Sequence, residues 1–141
     1  MVNSIMFVCA FNKTRSQIAE SLFNKLNKNK EWAAISAGVF SGKYKKDLNL
    51  GVVAKKYNFK IRKPKTLDKD ILKKQKMIIL VADDVPAKLF RGYKKFHGAK
   101  VQNWKIKDGW RRKGETRVER LEGVYLDIEK KMKSFVKRFN R

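Results

Sequence analysis

Cys9 and Arg15, held five residues apart in the stretch FVCAFNKTRSQIAE, are the pair whose types and spacing suit a reaction. A short apolar run, Ile5-Met6-Phe7-Val8, leads into the cysteine, and Ile18, Leu22 and Leu26 recur at spacing four beyond the arginine. This pattern predicts a strand ending at Cys9, a loop over residues 10–14 and a helix starting at Arg15. Ser16 and Gln17 open that helix, and Glu20 follows where a negative side chain suits the dipole. A helix N-terminus presents unpaired N–H groups and partial positive charge, and a short loop entering it adds more inward N–H groups. Together they form a cradle for phosphate. A thiol at the mouth of such a cradle is favoured as the nucleophilic thiolate. An arginine at its far end offers a planar fork to two phosphoryl oxygens. The chemistry implied is phosphoryl transfer through a phosphocysteine. Cys-x5-Arg alone is a weak signal, and the plain alternative is a buried cysteine at a strand end beside a surface arginine.

Several elements must position that pair. Trp32–Ala37 reads as a second strand closed by Gly38, followed by a loop over 39–46 with Phe40 and Tyr44. Asp47 is placed to cap a helix running to Tyr57, with Leu50, Val53, Ala54 and Tyr57 inward. Residues 58–61 are expected to be extended, and Thr66 or Asp68 to cap a brief helical turn containing Leu67, Ile71 and Leu72. Met77–Ala82, apolar on both faces, reads as a central parallel strand. Asp83-Asp84 ends it, and a helix is expected from Val85 with Pro86 in its first turn. Gly92 and Gly98 bracket a basic connector that holds His97, expected at the surface. Lys100–Trp104 reads as a last strand, and a loop with Asp108, Gly109 and Gly114 precedes a long helix. In that helix Val118, Leu121, Tyr125, Ile128, Met132, Phe135 and Phe139 form an apolar stripe. Strands alternating with helices predict a single α/β domain over residues 1–141. It would be a three-layer α/β/α sandwich with a four-stranded parallel sheet and a phosphate-binding loop after the first strand. In such sheets ligands bind at the carboxyl ends of strands. That rule brings Cys9, Ser36 to Gly38, Asp83 and the loop after Trp104 towards one site.

The 141 residues suffice for one core, and no apolar run approaches the length of a membrane span. Residues 4–11 are too short and lack a basic leader, so no signal peptide is expected. A single cysteine fits a reducing, cytoplasmic setting. With one histidine besides, neither a cysteine cluster nor a histidine motif for a metal can be assembled. Lys+Arg number 36 against 13 Asp+Glu, a net charge of +23. That field attracts anionic substrates and, without specificity, polyanions such as nucleic acid. Because lysine is spread along the whole chain, a solvated basic surface is the preferred reading. Composition says nothing of oligomeric state.

FVCAFNKTRSQIAE resembles the signature F-V-C-x-G-N-x-C-R-S-x-x-A-E of the low-molecular-weight protein tyrosine phosphatases, whose wider family includes thioredoxin-coupled arsenate reductases. The resemblance continues through Ile35-Ser36-Ala37-Gly38, Ile79–Asp83 and Ile106-Lys107-Asp108-Gly109-Trp110, in the family's order. It implies Cys9 as nucleophile, Arg15 as phosphate clamp, and Asp108 as the acid that protonates the leaving oxygen and then activates water. Ala10, Phe11, Asn12, Lys13, Thr14 and Ser16 would make up the substrate-binding loop. Within it Asn12 would hold strained backbone, and Ser16 would bond the Cys9 sulfur. Ser36 would brace Asn12, and Asp83 would be a supporting carboxylate. Trp110 takes the place of the tyrosine that walls the cleft, with Phe40 and Tyr44 opposite. The resemblance implies hydrolysis of a phosphorylated protein or a small aryl phosphate, without metal or cofactor.

The sequence departs from the signature at three places. Phe11 stands where the family has glycine, Thr14 replaces the second loop cysteine, and Gly109 replaces the proline after the acid. Arg111-Arg112-Lys113 has no counterpart. Alternatives therefore stay open: a catalytically weak phosphate- or nucleic-acid-binding member of the fold, or an arsenate reductase using an external thiol. Asp108 also reads as a loop cap, Asp83-Asp84 as a strand end capping Val85, and Trp104 and Trp110 as core.

Overall fold

A computed structural model describes residues 2–92 and 98–140; His97 and most of the basic connector lie outside the described residues. Four parallel strands, β1 (Asn3–Cys9), β2 (Trp32–Gly38), β3 (Met77–Leu80) and β4 (Lys100–Asn103), form one sheet in the order β2-β1-β3-β4. After β2 the chain crosses β1 to build β3 on the other side. The strand order reverses at the C-terminal end of β1, where a parallel sheet opens a crevice. Cys9 is the last residue of β1 and pairs with Gly38.

Among the described residues lie the helices α1 (Arg15–Leu26), α2 (Leu48–Tyr57), the short α3 (Lys69–Lys73) and the long α4 (Arg117–Val136). Period-two alternation in β1 sorts its side chains to the two faces. Ile5 and Phe7 join the core under α1, α2 and α4, while Met6 and Val8 face the opposite layer with Leu72, Val85 and Phe90. This is the expected three-layer arrangement. The N-caps are local. Asp47 accepts from the N–H groups of Asn49 and Leu50, Asp68 from Asp70 and Thr116 from Glu119, each such cap contributing about 1 kcal/mol.

Three boundaries differ from expectation. No α-helix starts at Val85: Pro86 precedes a 3-10 turn, Ala87–Phe90, that has no side-chain cap. Regular pairing in β3 ends at Leu80, although Val81 and Ala82 stay fully buried. Phe139 falls beyond the end of α4 yet completes its stripe, packing edge-on to Trp32 and Phe23. Trp104 is core, with its ring 5.7 Å from Phe7 and 5.5 Å from Phe135, whereas Trp110 is 76% exposed.

Phe7, Phe23, Trp104 and Phe135 join β1, α1, the end of the segment carrying β4, and α4 into one aromatic cluster, with centroids between 5.5 and 6.4 Å. Because Phe135 touches three of these elements, Phe135→Ala is expected to cost about 3–5 kcal/mol. Denaturant unfolding of the two proteins measures this, and a loss below about 1 kcal/mol would show that the cluster does not join the layers.

Candidate active site

The segment between β1 and α1 folds back over the end of β2. Asn12 adopts the left-handed conformation with φ 57°, a region asparagine enters more readily than most residues. Its side chain is fully buried, and every hydrogen-bonding position of the amide is filled. Nδ2 donates to Ser16 Oγ at 2.6 Å and Ser36 Oγ at 2.9 Å. Oδ1 accepts from Arg62 Nη1 at 3.1 Å and from the Lys65 N–H at 2.9 Å. Gln17 Nε2 donates to the Asn12 carbonyl at 2.6 Å. Gly38 makes the close approach possible. A Cβ there would sit 2.6 Å from the Phe11 carbonyl carbon and 2.7 Å from the Asn12 nitrogen, inside van der Waals contact.

Phe11 needs no glycine geometry, since Asn12 is the one non-glycine residue of the loop with positive φ. Its ring turns outward against Phe40, at 5.7 Å, with the Lys13 ammonium 5.6 Å from its centroid. Among the described residues, no acceptor within the protein pairs with the backbone N–H of residues 11–14. Those groups remain available to an anion held over the loop.

Cys9 and Arg15 bound this cradle. Cys9 is 2% exposed and lies on the floor of a cleft of about 730 Å³. Its Sγ is 3.0 Å from Ser16 Oγ. Because that oxygen already accepts from Asn12, its own hydrogen is free to point at sulfur. Arg15 is 5% exposed and turned inward. Its Nη1 donates to the Ile106 carbonyl at 2.9 Å, and its Nη2 lies 3.1 Å from Asp84 Oδ1. Asp83 is farther, at 3.7 Å. These contacts use part of the guanidinium's donor set and orient the rest toward the cleft it lines.

Asp108 enters the same cleft from the loop after β4, together with Gly109 and Trp110. Its carboxylate caps a 3-10 turn, Gly109–Arg111, accepting from the Arg111 N–H at 3.0 Å and from Arg111 Nε at 3.1 Å. Arg111 also grips both oxygens of Asp83. Burial pushes the Asp108 carboxyl up. The Arg111 hydrogen bonds, with the charges of Arg111 and Arg15, outweigh that and hold it below the ordinary aspartate range. Hydrogen bonding to Arg111 likewise depresses Asp83, against partial burial. Gly109 lies beneath α4, where a Cβ would press on Leu121 Cδ2 at 3.3 Å and Arg117 Nη1 at 3.4 Å. Arg117 stacks on the Trp110 ring at 4.3 Å and ion-pairs with Asp47 at 2.8 Å.

The structure thus brings Cys9, Ala10, Phe11, Lys13, Thr14, Arg15, Asp108 and Trp110 around one cleft, with Tyr44 on its wall. Other expected site residues lie elsewhere. Asn12, Ser16 and Ser36 are buried behind the loop. Phe40 backs Phe11 and does not line the cleft. Asp83 lies behind Arg15 and Arg111, and it is Asp84 that lines the cleft. Nor does Asp84 cap the turn after β3. Sequence reasoning also missed Arg62, whose guanidinium reaches Asn12, Ser36 and Glu20 from a segment without regular structure. No local pattern around Arg62 marks it. Gln17 was legible only as a helix opener. Among the described residues, no group of three or more His, Cys, Asp or Glu side chains is placed to hold a metal ion.

The sequence model for the family described as low molecular weight phosphotyrosine protein phosphatase matches residues 4–141. The chain belongs to this family. No curated protein matches it significantly. Among solved structures, it is similar to the low molecular weight protein tyrosine phosphatase from T. tengcongensis, at 25% identity and TM-score 0.69, covering 94% of this chain and 99% of that one. A tyrosine phosphatase of Erwinia amylovora superposes with TM-score 0.79 at 22% identity, covering 100% and 95%. An arsenate reductase from Archaeoglobus fulgidus does so with TM-score 0.61 at 24% identity, covering 92% and 98%. At such identities these last two establish the fold. Both fold and family are therefore those the sequence resemblance implied, and no helix among the described residues is long and apolar enough to cross a membrane.

The approach at Gly38 yields a direct test. Gly38→Ala is expected to leave the sheet folded but push the phosphatase-family loop outward, and displacements near 1 Å cost about 100-fold in catalysis. Oxyanion binding measured by calorimetry with vanadate should weaken with it, and unaltered vanadate affinity would show that the loop does not depend on this contact.

Proposed function

We propose that the protein hydrolyses phosphotyrosine or a similar aryl phosphomonoester through a phosphocysteine on Cys9. The observation that carries this reading is the cleft: a thiol and an arginine bound a loop of unpaired N–H groups, and a carboxyl group enters from a distant part of the chain. The phosphoryl dianion rests on the loop N–H groups and the free donors of Arg15. Cys9 Sγ attacks phosphorus as the thiolate, accepting a hydrogen bond from Ser16 Oγ, as the bond to the leaving oxygen breaks. Asp108 supplies the proton to that oxygen. Water then attacks phosphorus, the sulfur–phosphorus bond breaks, and Asp108 takes the water's proton.

Phe11, Tyr44 and Trp110 offer flat apolar surface on the cleft, which suits an aryl group. Lys13, Lys45 and Lys46 on its lining draw phosphorylated protein toward it, an attraction that salt weakens. The replacement of the second loop cysteine by Thr14 leaves Cys9 as the chain's only thiol, so arsenate reduction would need a thiol from elsewhere.

Turnover of a generic aryl phosphate, assayed at mildly acidic pH with reductant and without added metal, is expected to vanish in Cys9→Ser. In Asp108→Asn it should drop by about 100-fold or more. Full activity in Cys9→Ser would overturn the mechanism. Tight phosphate or RNA binding with no hydrolysis by the wild-type protein would assign the cleft to recognition instead.

A further inference from the structure

The scheme above leaves Arg111 without a part. This residue follows Asp108 by three positions on the 3-10 turn and joins two carboxylates. Nη1 and Nη2 grip Asp83, while Nε and the backbone N–H bind Asp108. Since Asp83 also approaches Arg15, a chain of alternating charge runs Arg15–Asp83–Arg111–Asp108, from the phosphate cradle to the opposite side of the cleft. A carboxyl group can protonate a leaving oxygen only while it holds a proton. A carboxylate that accepts from a guanidinium and an N–H favours the ionised form.

Resting on the phosphatase reading, we propose that Arg111 is a positioning residue that holds Asp108 toward its carboxylate form and so favours phosphomonoesters with acidic leaving groups. The two halves of the reaction ask opposite things of Asp108. In the first, sulfur bonds to phosphorus and the phosphorus–oxygen bond breaks. If Asp108 is protonated, its proton passes to the departing oxygen and a neutral alcohol leaves. If it is ionised, the oxygen departs with the electron pair as an anion and is protonated by solvent. An acidic phenol tolerates that route, and an alkyl alcohol does not. In the second half water attacks phosphorus, the electron pair of the sulfur–phosphorus bond returns to sulfur, and the Asp108 carboxylate accepts the water's proton. The form that Arg111 favours serves this half directly.

The charged groups that act on Asp108 are Arg111 on its own turn and Arg15 from α1. Asp83 faces it through the shared guanidinium, and Cys9, Asp84 and Arg117 share its cleft. Replacing the Arg111 side chain removes its hydrogen bond and charge from Asp108 and leaves burial, which favours protonation, against only the residue-111 backbone N–H and the charge of Arg15. The protonated fraction of Asp108 at a given pH then rises.

The test compares wild type, Arg111→Met and Arg111→Lys on aryl phosphates whose leaving phenols span a range of acidity, each over a pH series. The constant kcat/KM reports the first half. In Arg111→Met, the least acidic phenol is expected to gain about tenfold relative to the most acidic, and the alkaline limb of the pH profile should move to higher pH. Arg111→Lys keeps the charge without the fork and should fall between the other two. A uniform loss across all phenols with an unmoved limb would assign Arg111 a purely structural role and overturn the proposal, as would no change at all. Hydrolysis that survives Cys9→Ser, or no hydrolysis by wild type, would remove the phosphatase reading and the proposal with it. Hydrolysis that depends on Cys9 but not on Arg111 would sink the proposal alone.

Discussion

One left-handed residue, held by its own side chain, is the constraint on which the site depends. The N–H groups of residues 11–14 are without an acceptor among the described residues, in a loop whose backbone reverses at Asn12. That reversal is stable because the Asn12 amide finds all its partners in the protein interior. A buried amide that lost them would cost about 1–3 kcal/mol for each unsatisfied group. The partners come from α1, β2 and the segment before α3, so the loop is shaped by elements far apart in sequence. Ser16 then passes the same order on to Cys9.

Charge is the second organising term. The chain is strongly basic, yet its scarce carboxylates gather where arginines must be oriented. Asp84 and the Ile106 carbonyl aim Arg15, Asp47 holds Arg117, and Glu20 holds Arg62. These pairs are partly buried, so their attraction is offset by the cost of removing charge from water. Here they fix direction, because a planar guanidinium bound at one edge presents its other edge in a defined plane. The cleft thus combines Arg15 with the carboxylates of Asp84 and Asp108, and Lys13, Lys45 and Lys46 share its lining.

The departures from the family's signature each meet a local accommodation. Phe11 turns its ring out to Phe40, so its bulk lies beside the cradle and not within it. Gly109 replaces proline at a point where α4 presses close, and the turn that follows is closed by Asp108 and Arg111 in place of a ring. Thr14 precedes α1 without making a side-chain cap, so the start of that helix is defined by the loop packing of Asn12 and Gln17.

By itself the sequence determined what depends on near neighbours. The alternation in β1, the spacing of Ile18 and Leu22, the Asp47 cap and the apolar stripe of α4 all express periodicity or hydrogen bonds within a few residues. The parallel sheet and the convergence of Cys9 with Asp108 followed from them through the rule for strand ends. Tertiary structure alone decided which carboxylate meets which arginine. Asp83 and Asp84 are adjacent and alike in sequence, but only the fold turns one to the cleft and the other to Arg111. It also placed Phe40 behind Phe11, brought Arg62 beneath the loop and left Trp110 in solvent. These are contacts between segments with no fixed spacing along the chain. Their partners are chosen by the packing of whole elements, which no local pattern of residues records.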